Sequence, residues 1–429
     1  MKTILSFLAV IVSFTVSAQT VNIPDTNFKA YLIGNLQINK NNDNEIQVSE
    51  ASSFTGKIDC SNKSISNLAG IESFTNIYAL DFSTNLVIGL DLTKNIKLKE
   101  LKCDNNRLTN LDISKNTLLE YFTCGFNSLN NLDISKNISL KFFHFPFNQI
   151  TSIDLSKNIA LTDLDCISNS LDYIDISKNI NLYIFVCDLN KLETLDTSKN
   201  LALLILYCGA NKLKNLDLSK NLSLLNLNFE NNQITNLDIS KNQNLKTLDC
   251  SENLLKNLDV SKNIELNSLS CNNNLLTELN ISKQTKLTEL FCRANELMNL
   301  NVKNGQNAKI ITFDSTDNPS LTCIQVDNPS YSNSNWPNKD SWANYSTDCS
   351  LGINDSKKSS IQIYPNPVKE KFIININDVI ENIEIYSQTG QLLKTAKSKE
   401  VNISNLPKGN YLVKIKTDKE NIIQKIIKE

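Results

Sequence analysis

The chain has 429 residues, with 43 Lys and Arg against 45 Asp and Glu and a formal charge of −2, so no strong field of either sign points to nucleic acid or an anionic membrane. At 41% hydrophobic it can bury a sizeable core, and its 10 Gly and 8 Pro exclude a collagen-like chain. A single histidine, His144, excludes any multi-histidine metal centre and leaves one imidazole for acid/base work.

Lys2, the apolar run Ile4 to Val16 and the small residues Ser17-Ala18 before Gln19 have the three-part pattern of a secretory signal, predicting export and a mature start at Gln19. No later stretch approaches about 20 uninterrupted apolar residues, so no transmembrane helix is predicted in the mature chain. Residues 19–56 follow as an N-terminal cap, with a short helix predicted between Ile23-Pro24-Asp25 and Asn35. The next segment, Asn39 to Glu50, resembles a calcium-binding EF-hand loop. That resemblance implies side-chain ligands at Asn39, Asn41, Asp43 and Glu50 and a carbonyl ligand at Glu45, making calcium a possible cofactor. Asn39 in place of Asp and Asn44 in place of Gly depart from the pattern, and the alternative is a polar turn joining the cap helix to the first strand.

From 57 to 322 the sequence repeats with a period of 21. Asp91, Asp112, Asp133 and their successors to Asp259 mark it. Cysteine keeps the same beat from Cys103 to Cys292, with Phe82, Phe145, Phe229 and Phe313 in the skipped places. Interchange of Cys and Phe in one column describes a buried apolar position, not a thiolate ligand. Leu98-x-x-Leu101-x-Cys103-x-x-Asn106-x-Leu108 resembles the leucine-rich repeat signature, and Leu108-x-x-Leu111-Asp112-Ile113-Ser114-Lys115-Asn116 repeats the same logic within the unit. The nested form is similar to the 21-residue leucine-rich repeats of secreted Bacteroidetes proteins. It implies a mainly β leucine-rich repeat solenoid, with short parallel strands on both sides and an asparagine ladder along each edge.

Residues 323–349 are a C-terminal cap in which Cys323 and Cys349, both off the 21-residue beat, are expected to form a disulfide; 350–360 read as a linker. From 361 to 429 the rhythm gives way to short alternating strands, predicting a small β-sandwich. Tyr364-Pro365-Asn366-Pro367-Val368, Ile385-Tyr386-Ser387-Gln388-Thr389-Gly390-Gln391 and Leu406-Pro407-Lys408-Gly409-Asn410-Tyr411 resemble, in order, the C-terminal sorting domain of the type IX secretion system. This resemblance implies contact with that secretion machinery and an extracellular or outer-surface location.

Two outward columns on the first strands carry the specificity of the solenoid. Tyr121, Phe142, Ile184 and Ile205 in one, with His144, Val186 and Tyr207 in the other and Phe126 and Phe147 just beyond, form a candidate ligand-binding patch. Thr123, His144 and Asp165 share a column in successive repeats, a hydrolase-like grouping without a nucleophile elbow or oxyanion hole, and no enzymatic activity is expected. The expected function is recognition of a protein or glycan, in adhesion for example. The alternative is a structural surface-layer or matrix component.

Overall fold

A computed structural model describes residues 19–349, 362–376, 379–387, 390–417 and 421–429. The predicted signal (1–18) and linker (350–360) lie outside the described residues. The chain divides into two compact units, Met1–Asp348 and Cys349–Glu429.

In the first unit the 21-residue beat becomes one turn of a parallel solenoid. Three-residue strands stack in step: Glu100–Lys102 on Tyr121–Thr123, then Phe142–His144, Asp163–Asp165, Ile184–Val186 and Ile205–Tyr207, with Glu100, Tyr121, Phe142 and Asp163 in register. Among the described residues this face is a 13-stranded sheet running from Lys57–Asp59 to Thr312–Asp314. The central residue of each strand points inward beside the Cys/Phe column, giving one continuous core from Phe28 in the N-terminal cap to Trp336 in the C-terminal one. Nine thiols are free and buried. Burial pushes the Cys60 and Cys271 thiols up to about 12 and raises Cys166, Cys187 and Cys250, as packing groups require.

The second face differs in detail from its sequence expectation. Strand pairing there begins at Glu278–Asn280 and continues through Asn299–Asn301, Cys323–Gln325 and Asn344–Ser346; the equivalent segments upstream lie outside any strand. Pairing starts where the Asp column becomes Asn280 and Asn301. Each upstream Asp accepts the N–H two residues on, Asp133 from Ser135 at 2.8 Å, which with the serine hydroxyl holds its pKa below the ordinary carboxylate value, and Asn280 and Asn301 accept in the same way from Ser282 and Lys303. The Lys column from Lys94 to Lys283 stays exposed.

Both asparagine ladders form. On the first edge, Asn127 Nδ2 donates to Cys103 O one turn back (3.0 Å) and to Cys124 O (3.1 Å), while its Oδ1 accepts from Leu108 N. The second edge is drier. Asn158 Nδ2 reaches Ile134 O and Asn137 O at 3.0 and 2.9 Å, and its Oδ1 has no partner.

The N-terminal cap holds helix α1 (Thr26–Ile33), capped by Asp25, and helix α2 (Val48–Ser53). At the other end Trp336 is buried against Phe313 at 4.7 Å and donates to Ile310 O. Cys323 and Cys349 are disulfide-bonded, as expected from their spacing.

The second unit pairs Gln362–Tyr364, Lys371–Asn375 and Glu400–Asn402 in one antiparallel sheet. Leu392–Ala396, Ile380–Ser387, Gly409–Thr417 and Asn421–Lys428 form the other. Phe372, Ile374, Ile383, Ile385, Val413 and Ile415 fill the core.

Candidate binding face

The strand face of the solenoid is set by alternation. With the middle residue of each strand turned inward, its two neighbours project outward and repeat once per turn. Tyr121 and Phe142 are therefore stacked at 4.1 Å with planes 8° apart, and His144 lies 3.7 Å from the Phe142 ring. Lys102 Nζ sits 5.0 Å over the Tyr121 ring, and Ile184, Val186, Ile205 and Tyr207 continue the two columns, half-buried among their neighbours.

Beyond each strand the chain turns through a residue with positive φ. Asn105, Asn231 and Asn273 occupy that position, as do Thr84, Ser168, Ala210, Glu252 and Ala294, but Phe126 and Phe147 stand there at φ 53° and Leu189 at 55°. A bulky side chain in the left-handed region is strained. The two phenylalanines nevertheless stack at 4.4 Å with 49% and 40% of their surface exposed, so packing inside the solenoid does not account for them. The sequence indicated these residues as apolar; the backbone beneath them was not visible there.

The hydrolase-like column does not assemble. His144 Nε2 lies 2.8 Å from Asp163 Oδ1, Thr123 Oγ1 donates to Asp104 Oδ2, and Asp165 accepts from Ile167 N. Both side-chain bonds run diagonally across rungs instead of along the column.

Carboxylates gather beside the patch at positions that sequence reasoning did not select. Asp188 accepts from Gly209 N at 2.7 Å, as Asn272 accepts from Arg293 N four rungs on at 2.9 Å. Burial pushes Asp188 up to about 6, and it also raises Glu230 and Asp165.

In the N-terminal cap the EF-hand-like residues do meet around one turn. Glu50 accepts from Lys40 N, Asn41 N and Gln47 N; Asp43 accepts from Glu45 N, Asn41 Nδ2 and Gln47 Nε2; the Glu45 carboxylate pairs with Lys29 at 2.6 Å. Asn39 donates to Ile33 O and Asp43 O, leaving its buried Oδ1 without a partner. As placed, the carboxylates are directed at N–H groups of the loop itself, and the five residues gather around one polar turn.

In the second unit, Asn366 of the first tail motif donates to Lys425 O and accepts from Ile427 N, and Tyr411 of the third donates to Pro407 O at 2.6 Å. Gln388 and Thr389 of the second motif lie outside the described residues. Residues 362–429 match the family described as Secretion system C-terminal sorting domain. The tail is a sorting domain. With it the chain is a secreted or cell-surface protein of the type IX route, and among the described residues no helix is long and apolar enough to cross a membrane.

Solved structures place the solenoid among leucine-rich repeat folds. The functional domain of InlJ from Listeria monocytogenes, which includes a cysteine ladder, is 25% identical with a TM-score of 0.63, over 97% of this chain and 100% of that one. An internalin, InlF, from the same organism is 21% identical (TM-score 0.58, 71% and 99% covered). A leucine-rich repeat protein of Leptospira interrogans is also 21% identical (TM-score 0.52, 66% and 82% covered). No curated protein matches the chain.

Proposed function

We propose that the strand face binds a protein partner, in adhesion or a related surface contact, through the aromatic patch of Tyr121, Phe126, Phe142 and Phe147 and the aliphatic stretch from Ile184 to Tyr207. The observation that carries this reading is the stacked Phe126–Phe147 pair, half exposed on left-handed turns that most other rungs fill with smaller or polar residues such as Asn105, Ser168, Ala210 and Asn231. Strain kept at an exposed aromatic pair fits a recognition surface, since rigid rings bury area at low entropic cost. The adjoining aliphatic columns and carboxylates suit a protein surface with apolar and basic groups better than a glycan, which needs dense hydrogen bonding.

The test is a panel of extracellular proteins and glycans probed with the full chain and with a Phe126→Ser/Phe147→Ser/Phe142→Ala variant. Saturable binding to a protein, lost in the variant while its melting transition persists, is the expected result. Binding confined to glycans, or unchanged in the variant, overturns the reading.

A further inference from the structure

Opposite edges of the solenoid differ in a way the repeat pattern conceals. The residue after the buried Asn of the second ladder lies on the turn leading into the next first-face strand, and it is apolar in seven rungs: Ile96, Ile138, Ile159, Ile180, Leu201, Leu222 and Ile264. Their exposures fall in a narrow band, 51% for Ile264 to 59% for Leu201, so each leans on its neighbours and leaves the other half in water. Five of them, from Ile138 to Leu222, are on consecutive rungs; Thr117 and Gln243 interrupt the stripe on either side.

We infer that this stripe is a seam on which two copies of the chain meet side by side. Area is the first argument. Seven half-exposed Ile and Leu side chains offer on the order of 100 Å² each, which with their neighbours approaches the roughly 800 Å² per partner of a standard interface. Pitch is the second. The stripe presents one branched side chain per rung at about 4.8 Å, a spacing that a second copy reproduces along its whole length, whereas a globular surface matches it at a few points.

Charge selects the orientation. The exposed Lys136, Lys157, Lys178, Lys199 and Lys220 precede the five consecutive rungs by two residues, and the small or neutral Ser139, Ala160, Asn181, Ala202 and Ser223 follow them. If the two stripes ran antiparallel, the lysine columns would face each other. If they run parallel, about a twofold axis along the stripe, each lysine column faces the small residues of the other copy and like rungs meet, Ile180 on Ile180.

The experiment is sedimentation of the full chain over a concentration series, beside three variants. The unmodified chain is expected to be dimeric at about 10 µM, and Ile159→Ser/Ile180→Ser/Leu201→Ser to raise the dimer dissociation constant at least roughly 100-fold. Thr117→Ile/Gln243→Ile, which completes nine rungs, should tighten it; this variant keeps the test decisive even if the triple variant unfolds. Ile138→Cys should cross-link to itself under mild oxidation, as parallel stripes require. A chain monomeric up to about 100 µM, a dimer indifferent to both stripe variants, or an Ile138→Cys dimer that does not cross-link overturns the inference.

Discussion

Asp188 shows how one side chain of the strand face carries a cost that its fold position imposes. Its carboxyl is pushed up from the ordinary 3.8 to about 6, first by burial, with Glu230 and Asp165 adding repulsion and the Gly209 N–H opposing. A carboxyl whose folded pKa is raised favours folding most below its unfolded value, and that contribution is lost as pH climbs from about 4 to about 6. Above that window the buried charge is a constant burden. Asp188→Asn keeps an acceptor for Gly209 N and removes the charge, so the variant should melt higher than the parent near pH 7 and together with it near pH 4, read by thermal unfolding across the range. Phe126→Asn tests the other residue-scale feature. Asn tolerates the left-handed backbone at φ 53°, which offsets the lost Phe147 stacking, so Tm should stay within about 2 °C while partner binding falls at least about tenfold.

Among elements, the second asparagine ladder carries a sharp contrast. Asn200 Nδ2 donates to Ile176 O and Asn179 O at 3.1 and 2.9 Å, so Asn200→Ala strands two buried carbonyls and should cost about 2–4 kcal/mol in denaturant unfolding. Thr197 lies in the buried aliphatic column and donates to Asn221 Oδ1 at 2.8 Å. Thr197→Ile should be neutral within about 1 kcal/mol, because other rungs such as Asn158, Asn179 and Asn242 hold the same oxygen without a partner. A large loss from Thr197→Ile would show that these oxygens are not equivalent along the ladder. The rungs, both ladders and the inward Cys/Phe column were legible in the sequence, because a period of 21 assigns the same environment to the same column. Less was legible where charge and lean decide. The period cannot say that strand pairing on the second face begins only at Glu278–Asn280, or that His144 reaches Asp163 and not Asp165. Nor does it mark the strain under Phe126 and Phe147, since a φ value follows from the turn that closes the rung and not from residue type.

For the molecule as a whole, the solenoid's logic is one-dimensional: each turn contacts the turns before and after it, and stability is a sum of rungs and their shared interfaces. Removing residues 209–229 joins Cys208 to Glu230 and restores the pattern Leu203-x-x-Leu206-x-Cys at once, followed by Asn232 and Ile234 in their proper columns. The shortened chain should refold with cooperative unfolding intact and a modestly reduced denaturant midpoint, because one interface is lost and no column is shifted. Removing ten residues, 209–218, instead joins Cys208 to Ser219, which keeps an Asn three places on at Asn221 but takes out the buried Leu213, Leu216 and Leu218, the whole second face of that turn, so the rung cannot close over its core and the transition should be abolished. Circular dichroism with denaturant titration of both deletions separates a rung-by-rung solenoid from a core whose parts are packed against distant turns. In the second case the full-turn deletion would fail as badly as the half-turn one.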